Sequence, residues 1–406
     1  VTTTDDQRSL YSRRQATDGG QPEEGTGSSP FADKARRIHA RLPVIDGHND
    51  LPWALRSRAE SDLDKADPRG RLPGFHTDVP RLLEGGVGAQ FWSVYVPTWS
   101  QAPLRHTLEQ IILVRRMAER DPDHLRMAKT ATDVARIRGN GRIACLMGAE
   151  GGHCIENSLG ALRALHELGV RYMTLTHSDS HEWADSATDE PRHGGLTDFG
   201  EAVVREMNRI GMMVDISHVS ADTMRHAIRI SRAPVIASHS SAYTLAPHPR
   251  NIPDDVLEMI GENGGVVMIN FYPGFVVAET AEKAYGIFTA GRRLRSRFGP
   301  GEESAFEQAM RDLVAGRDWD HGSVSDVVDH IEYVARVAGV DHVGIGGDFD
   351  GIDMTPNGLE DVSRYPAVTE ELLRRGWSDP DIDKVLGKNV LGVLRRAEEV
   401  AATARS

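Results

Sequence analysis

Cysteine is nearly absent from this chain: Cys145 and Cys154 are the two in 406 residues. Two thiols build no disulfide framework, and neither belongs to a Cys-x-x-Cys pair. One bridge between them is open to the chain, but reduced thiols in a cytosolic protein are the expectation. Long apolar runs are missing too. Nothing approaches the roughly 18 consecutive apolar residues of a transmembrane helix, so none is expected. The first residues, VTTTDDQRSLYSRRQATDGG, lack the apolar core of a secretory signal. The last, RRAEEVAATARS, lack the hydrophobic tail of a lipid-anchor signal. The expectation is a cytoplasmic protein with no membrane anchor. Positive charge is the minority sign: 47 Lys+Arg face 60 Asp+Glu, a net charge of −13. That balance argues against nucleic acid as partner, because phosphate binding needs a basic surface. Residues 1–30 contain only Val1, Leu10, Tyr11 and Ala16 as apolar residues. Such a segment cannot bury enough surface to offset its ordering entropy. It reads as a flexible leader, followed by one domain over residues 31–406.

What the chain does have is a repeated pattern of short apolar, β-branched runs. They are Val44-Ile45, Gly88–Val96, Ile143–Gly148, Arg171–Thr176, Met212–Ser217, Pro234–Ser238, Val266–Asn270 and His342–Gly347. Near-continuous apolar runs suit strands buried on both faces, as in a parallel sheet. Helical patterns lie between them, including Ser158–Leu168, Asp198–Ile210, Ser220–Ser231 and Pro253–Glu262. Several open on Ser or Asp and end at a glycine such as Gly169 or Gly211. Eight strand–helix alternations over about 310 residues predict an α/β fold, a (β/α)8 TIM-type barrel. A doubly wound open sheet is the competing architecture. Glu279–His321 is too long for a simple connection and predicts extra helices after strand seven.

In such a barrel, reactive groups belong where strands end. Strand one ends in DGHND, putting His48 and Asp50 two residues apart and so on one face of an extended chain. Strand three ends at Glu150 in GAEGGHC, strand four at His177 in LTHS, strand five at His218 in DISHVS. Strand six ends at His239 in ASHSS, and strand eight runs into Asp348 in GIGGDFDG. Any one of these reads equally well as a capping or core polar group. Together they place four of 17 histidines and three carboxylates around one barrel mouth. Polar groups so crowded need an ion or substrate between them.

A metal pair fits that need. Imidazole and carboxylate suit Zn²⁺, ahead of Mn²⁺, Co²⁺ or Fe²⁺. His48 and Asp50 would hold one ion, His218 and His239 the other, with Glu150 and a water or hydroxide bridging two Zn²⁺. Asp348 is then placed to move a proton, and His177 to polarise a scissile carbonyl. Arg250, in PHPRNIPDD, reads either as a clamp for a substrate carboxylate or as a solvated surface group. Tyr95 reads as a substrate contact or as a rim residue.

The ordered set IDGHNDLPW, GAEGGH, SLGALRALHELGVRYMTLTHS, WADS, DISHVS, PVIASHSSAY, RNIPDDVL and GIGGDFDG resembles the membrane dipeptidase (renal dipeptidase) family, peptidase family M19. These are amidohydrolase-like metal-dependent hydrolases. The resemblance runs in order from about Asp46 to Gly351 and continues in LEDVSRYP and ELLRRGW. It implies a (β/α)8 barrel with a binuclear zinc site that hydrolyses dipeptides, often those with a C-terminal D-residue. On the matching positions it assigns His48, Asp50 and Glu150 to one zinc, and Glu150, His218 and His239 to the other. It makes Asp348 the proton-transfer residue and puts His177 and Arg250 against the substrate. A homodimer is the assembly its relatives share. The lack of an anchor tail and of paired cysteines looks more like the soluble bacterial branch.

Other readings compete. Lactonases, deaminases and phosphotriesterases on this barrel commonly use His-x-His on strand one and a bridging lysine on strand four, where this chain has Asp50 and His177. GIGGDFDG as a phosphate-cradling loop leaves the histidines unexplained. A non-catalytic barrel predicts missing ligands, and none is missing.

Overall fold

The computed structural model of the protein describes residues 30–299 and 302–405. The leader expected over residues 1–30 lies outside the described residues except for Pro30, which opens a helix, Pro30–Arg41. Nine strands follow: β1 Val44–Asn49, β2 Val87–Ser93, β3 Leu125–Met127, β4 Ile143–Glu150, β5 Val170–Thr174, β6 Met213–Asp215, β7 Ile236–Ala237, β8 Val266–Ile269 and β9 Val343–Ile345. The sheet runs β2-β1-β9-β8-β7-β6-β5-β4-β3, and β2 also pairs with β4. That last pairing closes eight parallel strands into a barrel and leaves β3 outside it. Each of the eight apolar runs supplies one barrel strand, so the (β/α)8 expectation holds and the open sheet does not.

The strands form because alternate side chains serve two separate apolar layers. On β4, Ala144 and Leu146 join the interior cluster, while Ile143, Cys145, Met147 and Ala149 pack outward under the helices. The same alternation puts Tyr172, Met213, Ile236 and Met268 inside. The inward row of β4 then ends on Gly148 and Glu150, which aims the carboxylate into the barrel. Below, the last helix, Asn389–Arg405, closes the opposite end with Val390, Val393, Leu394 and Ala397. Only the mouth at the C-terminal strand ends is left for chemistry.

Three details differ from the sequence reading. β3 is unexpected; its three residues pair with Ile143–Cys145, on the edge that β5 takes farther along from Met147. With Leu125 as its one buried residue, it leaves no apolar signature. The strands also stop sooner: β5 ends at Thr174, β6 at Asp215 and β9 at Ile345. His177, His218 and Asp348 therefore stand on the first loop residues. His218 and Asp348 have left-handed backbones, φ 66° and 60°, which break the ladder just before the side chain. Tyr95 likewise lies past Ser93, the last residue of β2. The extra helices after the seventh barrel strand are present as Pro273–Val276, Ala278–Arg295 and Glu303–Val314. Arg292 ties them to the loop after β5 through Asp189, at 2.7 Å. Both cysteines are free and buried. Among the described residues no helix is long and apolar enough to cross a membrane.

Not every histidine serves the mouth. His330 is buried, its Nδ1 accepting from the Ala242 N–H at 3.0 Å and its Nε2 facing the Val276 carbonyl at 3.1 Å. Burial pushes it down to about 4, with the Val276 hydrogen bond opposing. His39 is likewise pushed down to about 4 by burial. As pH falls below about 6.5, the unfolded chain protonates such a histidine before the folded one does, so folding loses stability. The stability margin of the wild type over His330→Gln is expected to narrow as pH falls from 6.5 towards 4, by up to about 1.4 kcal/mol per pH unit. Urea unfolding of both proteins across that range reads it directly; a constant margin would contradict a neutral, buried His330.

Candidate metal centre

Glu150 is the centre of the mouth. Its Oε1 lies 3.1 Å from His218 Nε2, 3.4 Å from His239 Nε2 and 3.6 Å from His177 Nε2. Its Oε2 lies 3.5 Å from His48 Nε2 and accepts from Ser93 Oγ at 3.1 Å. His48 Nε2 is 3.1 Å from Asp50 Oδ2, and the Nε2 atoms of His218 and His239 are 2.9 Å apart. Donor atoms gather in three overlapping groups: His48, Glu150 and His239; Glu150, His177 and His218; and His48, Asp50 and Asp348. Within each, all ligand atoms lie inside 4.8 Å of one another. The union of the groups is the set of seven residues singled out in the sequence.

The electrostatics follow from this crowding. Burial alone would raise Glu150, but His48, His177, His218 and His239 outweigh it and hold the carboxyl well below its ordinary value. Burial holds His218 and His239 well below theirs, with Arg250 adding to both, so these imidazoles keep a free lone pair. Burial also lowers His177. His48 is the exception: Tyr172, Glu150 and Asp50 overcome its burial and raise it. Asp348 is pushed up to about 8, first by burial and further by Asp50 and Glu150. Asn270 Nδ2 donates to its Oδ2 at 2.8 Å and fixes its orientation.

These residues fit a metal ion on their own chemistry. Neutral imidazole nitrogens and carboxylate oxygens are the donors borderline divalent cations take. Asp50 Oδ1 is buried without a hydrogen-bond partner, a state that an unshared carboxylate oxygen tolerates poorly unless a cation faces it.

Arg250 is not a solvated surface group. It is 1% exposed, donating from Nη1 to Ser240 Oγ at 2.8 Å and from Nη2 to the His239 carbonyl at 3.0 Å, and its Nε has no partner. Burial pushes it down to about 10. Tyr95 lies at the rim, its ring 4.6 Å from that of His177 and edge-on to Trp53 at 5.0 Å. Sequence reasoning missed Asn270, Ser93 and Gly351. Ser93 ends β2 and Asn270 directly follows β8, both in step with the inward row, a periodic signal that the sequence carries. Gly351 is different, because its role is an absence. A Cβ there would press on Asp50 Oδ2 and Asp348 Oδ1 together. Its φ is not in the left-handed region, so an alanine would act through its volume alone. Gly351→Ala is therefore expected to lower metal retention at least about tenfold while sparing the fold. Metal analysis after dialysis, beside a melting curve in chelator, checks this; full retention would show that the two carboxylates can move apart freely.

Known proteins resemble this chain in sequence and in fold. A model of the family described as Membrane dipeptidase (Peptidase family M19) matches residues 32–406. Dipeptidase aclJ from Aspergillus oryzae is 43% identical over 378 residues, covering 90% of this chain and 80% of its own. Dipeptidase verJ from Clonostachys rogersoniana is 41% identical over 382 residues, covering 91% and 87%. A metallo peptidase from Rhodobacter sphaeroides, solved with a phosphinate mimic of the dipeptide L-Ala-D-Ala, superposes with a TM-score of 0.71 at 25% identity, over 88% of this chain and 99% of its own. With a family match across the whole barrel and a metal-binding cluster at its mouth, the chain belongs to the membrane dipeptidase family of metallopeptidases, M19.

Proposed function

We propose that the barrel mouth hydrolyses the peptide bond of dipeptides, those with a C-terminal D-residue included, using two zinc ions. His48, Asp50 and Glu150 would hold one ion, and Glu150, His218 and His239 the other. The observation that carries this reading is the Glu150 carboxylate, whose two oxygens face different histidines: His48 on one side, His218 and His239 on the other. A bridging ligand needs that division. Zinc bound there supplies Lewis acidity towards both the scissile carbonyl and water. The L-Ala-D-Ala mimic held by the Rhodobacter sphaeroides relative supports the inclusion of D-residues.

The chain's own groups account for the proton and charge movements. Water adds to the carbonyl carbon, and the carbonyl π pair moves onto its oxygen. His177, kept neutral by burial, donates to that oxygen. Asp348 takes the proton from the attacking water and passes it to the amide nitrogen as the C–N bond breaks. Burial and the carboxylates of Asp50 and Glu150 raise Asp348 to about 8, which makes its ionised form a stronger base for that proton, and the Asn270 amide keeps it aimed. Arg250 would steer the substrate carboxylate through its unpartnered Nε, and Tyr95 would form part of the wall.

The test is a panel of L,L- and L,D-dipeptides offered to the zinc-loaded protein, with Asp348→Asn beside it. Turnover of both classes is expected in the wild type. In the variant, kcat should fall about 10²- to 10⁴-fold with zinc content unchanged. Turnover of lactones or esters with no dipeptide hydrolysed would reverse the substrate reading, and near-normal kcat in Asp348→Asn would remove it from the proton path.

A further inference from the structure

Two of the buried histidines at the mouth are held from behind by different hydrogen-bond relays. His48 Nδ1 lies 2.8 Å from the Tyr172 hydroxyl, and that hydroxyl donates to the Gly47 carbonyl at 3.1 Å. Tyr172 is fully buried, and a phenol is a neutral O–H at neutral pH. With its one hydrogen given to Gly47, the phenol oxygen can only accept from His48. One proton of His48 therefore sits on Nδ1, and Nε2 is the nitrogen aimed at Glu150 and Asp50, where a cation would take the place of its proton.

His239 is treated the same way by other groups. Its Nδ1 is 2.8 Å from Ser238 Oγ, which donates to Asp215 Oδ2 at 2.6 Å. Asp215 also accepts from Thr174 Oγ1 at 2.5 Å on Oδ2, and from the backbone N–H groups of Ser217 at 3.1 Å and Ser238 at 2.9 Å on Oδ1. Four donors saturate a carboxylate that is itself fully buried, which leaves Ser238 its role as donor to Asp215 and acceptor from His239. The His239 proton is thus placed on Nδ1 and its Nε2 is free towards Glu150. The barrel makes room for this. The ring of Tyr172 lies where a side chain at position 148 would be, and residue 148 is glycine.

We propose that Tyr172 and the Ser238–Asp215 pair are positioning residues that preset His48 and His239 to offer Nε2 to metal, one relay for each ion. The proposal rests on the reading of His48 and His239 as ligands. Outer groups of this kind raise ligand basicity and hold ring orientation, and removing one typically costs 10- to 100-fold in metal affinity.

The experiment is zinc titration of chelator-stripped protein against a chromophoric chelator, with melting of the metal-free protein as the structural control. The wild type is expected to take up two zinc ions. Tyr172→Phe and Ser238→Ala should each weaken one of the two by about 10- to 100-fold, the double variant both, and Ser238→Thr should restore binding by returning the hydroxyl. Wild-type affinity in either single variant would overturn that relay. So would a lowered melting midpoint in the metal-free variant with affinity unmoved, because that is what a purely structural role produces. His48→Ala and His239→Ala separate the two levels: loss of an ion in these, with none in the relay variants, leaves the ligands standing and removes the relays. A stripped wild type that binds fewer than two ions overturns the ligand reading itself.

Discussion

The Glu150 carboxylate is 4% exposed and lies within 3.6 Å of ring nitrogens from four histidines on four different elements. A charge in that position has lost most of its hydration, and only groups of opposite or complementary character can offset the cost. The rest of the mouth follows from this constraint. The neighbouring imidazoles at His218 and His239 stay neutral, because burial opposes their charging. Asp348, placed among Asp50 and Glu150, is driven in the opposite direction, to about 8, by burial first and by those carboxylates next. One environment thus holds one carboxyl well below its ordinary value and lifts another above it. Metal ligation and proton transfer require that separation.

The scaffold enforces it by simple periodicity. β4 carries an outward apolar row and an inward row of small or apolar residues, and Glu150 is where the inward row reaches the mouth. Thr174, Asp215 and Ser238 come next to it from the following strands, and their hydrogen bonds build a polar layer below the histidines. The closing helix at the other end gives the interior the aliphatic side chains of Val390, Val393, Leu394 and Ala397. The polarity of the barrel interior therefore rises from one end to the other. Left-handed turns at His218 and Asp348 then swing their side chains over the opening instead of along the strand.

The sequence carried most of this plainly, for identifiable reasons. Eight apolar β-branched runs marked the barrel strands, because strands buried on both faces have little else in them. Ser158 and Ser220 announced the helices they cap, and both side chains accept the expected backbone N–H. The seven mouth residues were legible because each lies on or shortly after the end of such a run. β3 was not legible, since three residues with one buried side chain carry no period. Arg250 reads in the sequence as a clamp for a substrate carboxylate or as a solvated surface group; its burial, which excludes the second, depends on Ser240 and the His239 carbonyl meeting it in space. Tyr172 lies inside the apolar run Arg171–Thr176, and nothing in the sequence marks it out. Its contact with His48 joins residues 124 apart in the chain and needs a glycine at 148 on the neighbouring strand.

The central claim is that Glu150 stands between two metal ions. Crystals of the zinc-loaded protein, measured at the zinc absorption edge, test it most directly. The account predicts two anomalous peaks at the barrel mouth, one beside His48 and Asp50, the other beside His218 and His239, with one Glu150 oxygen on each. A single peak, or two that leave Glu150 outside both coordination spheres, would contradict it.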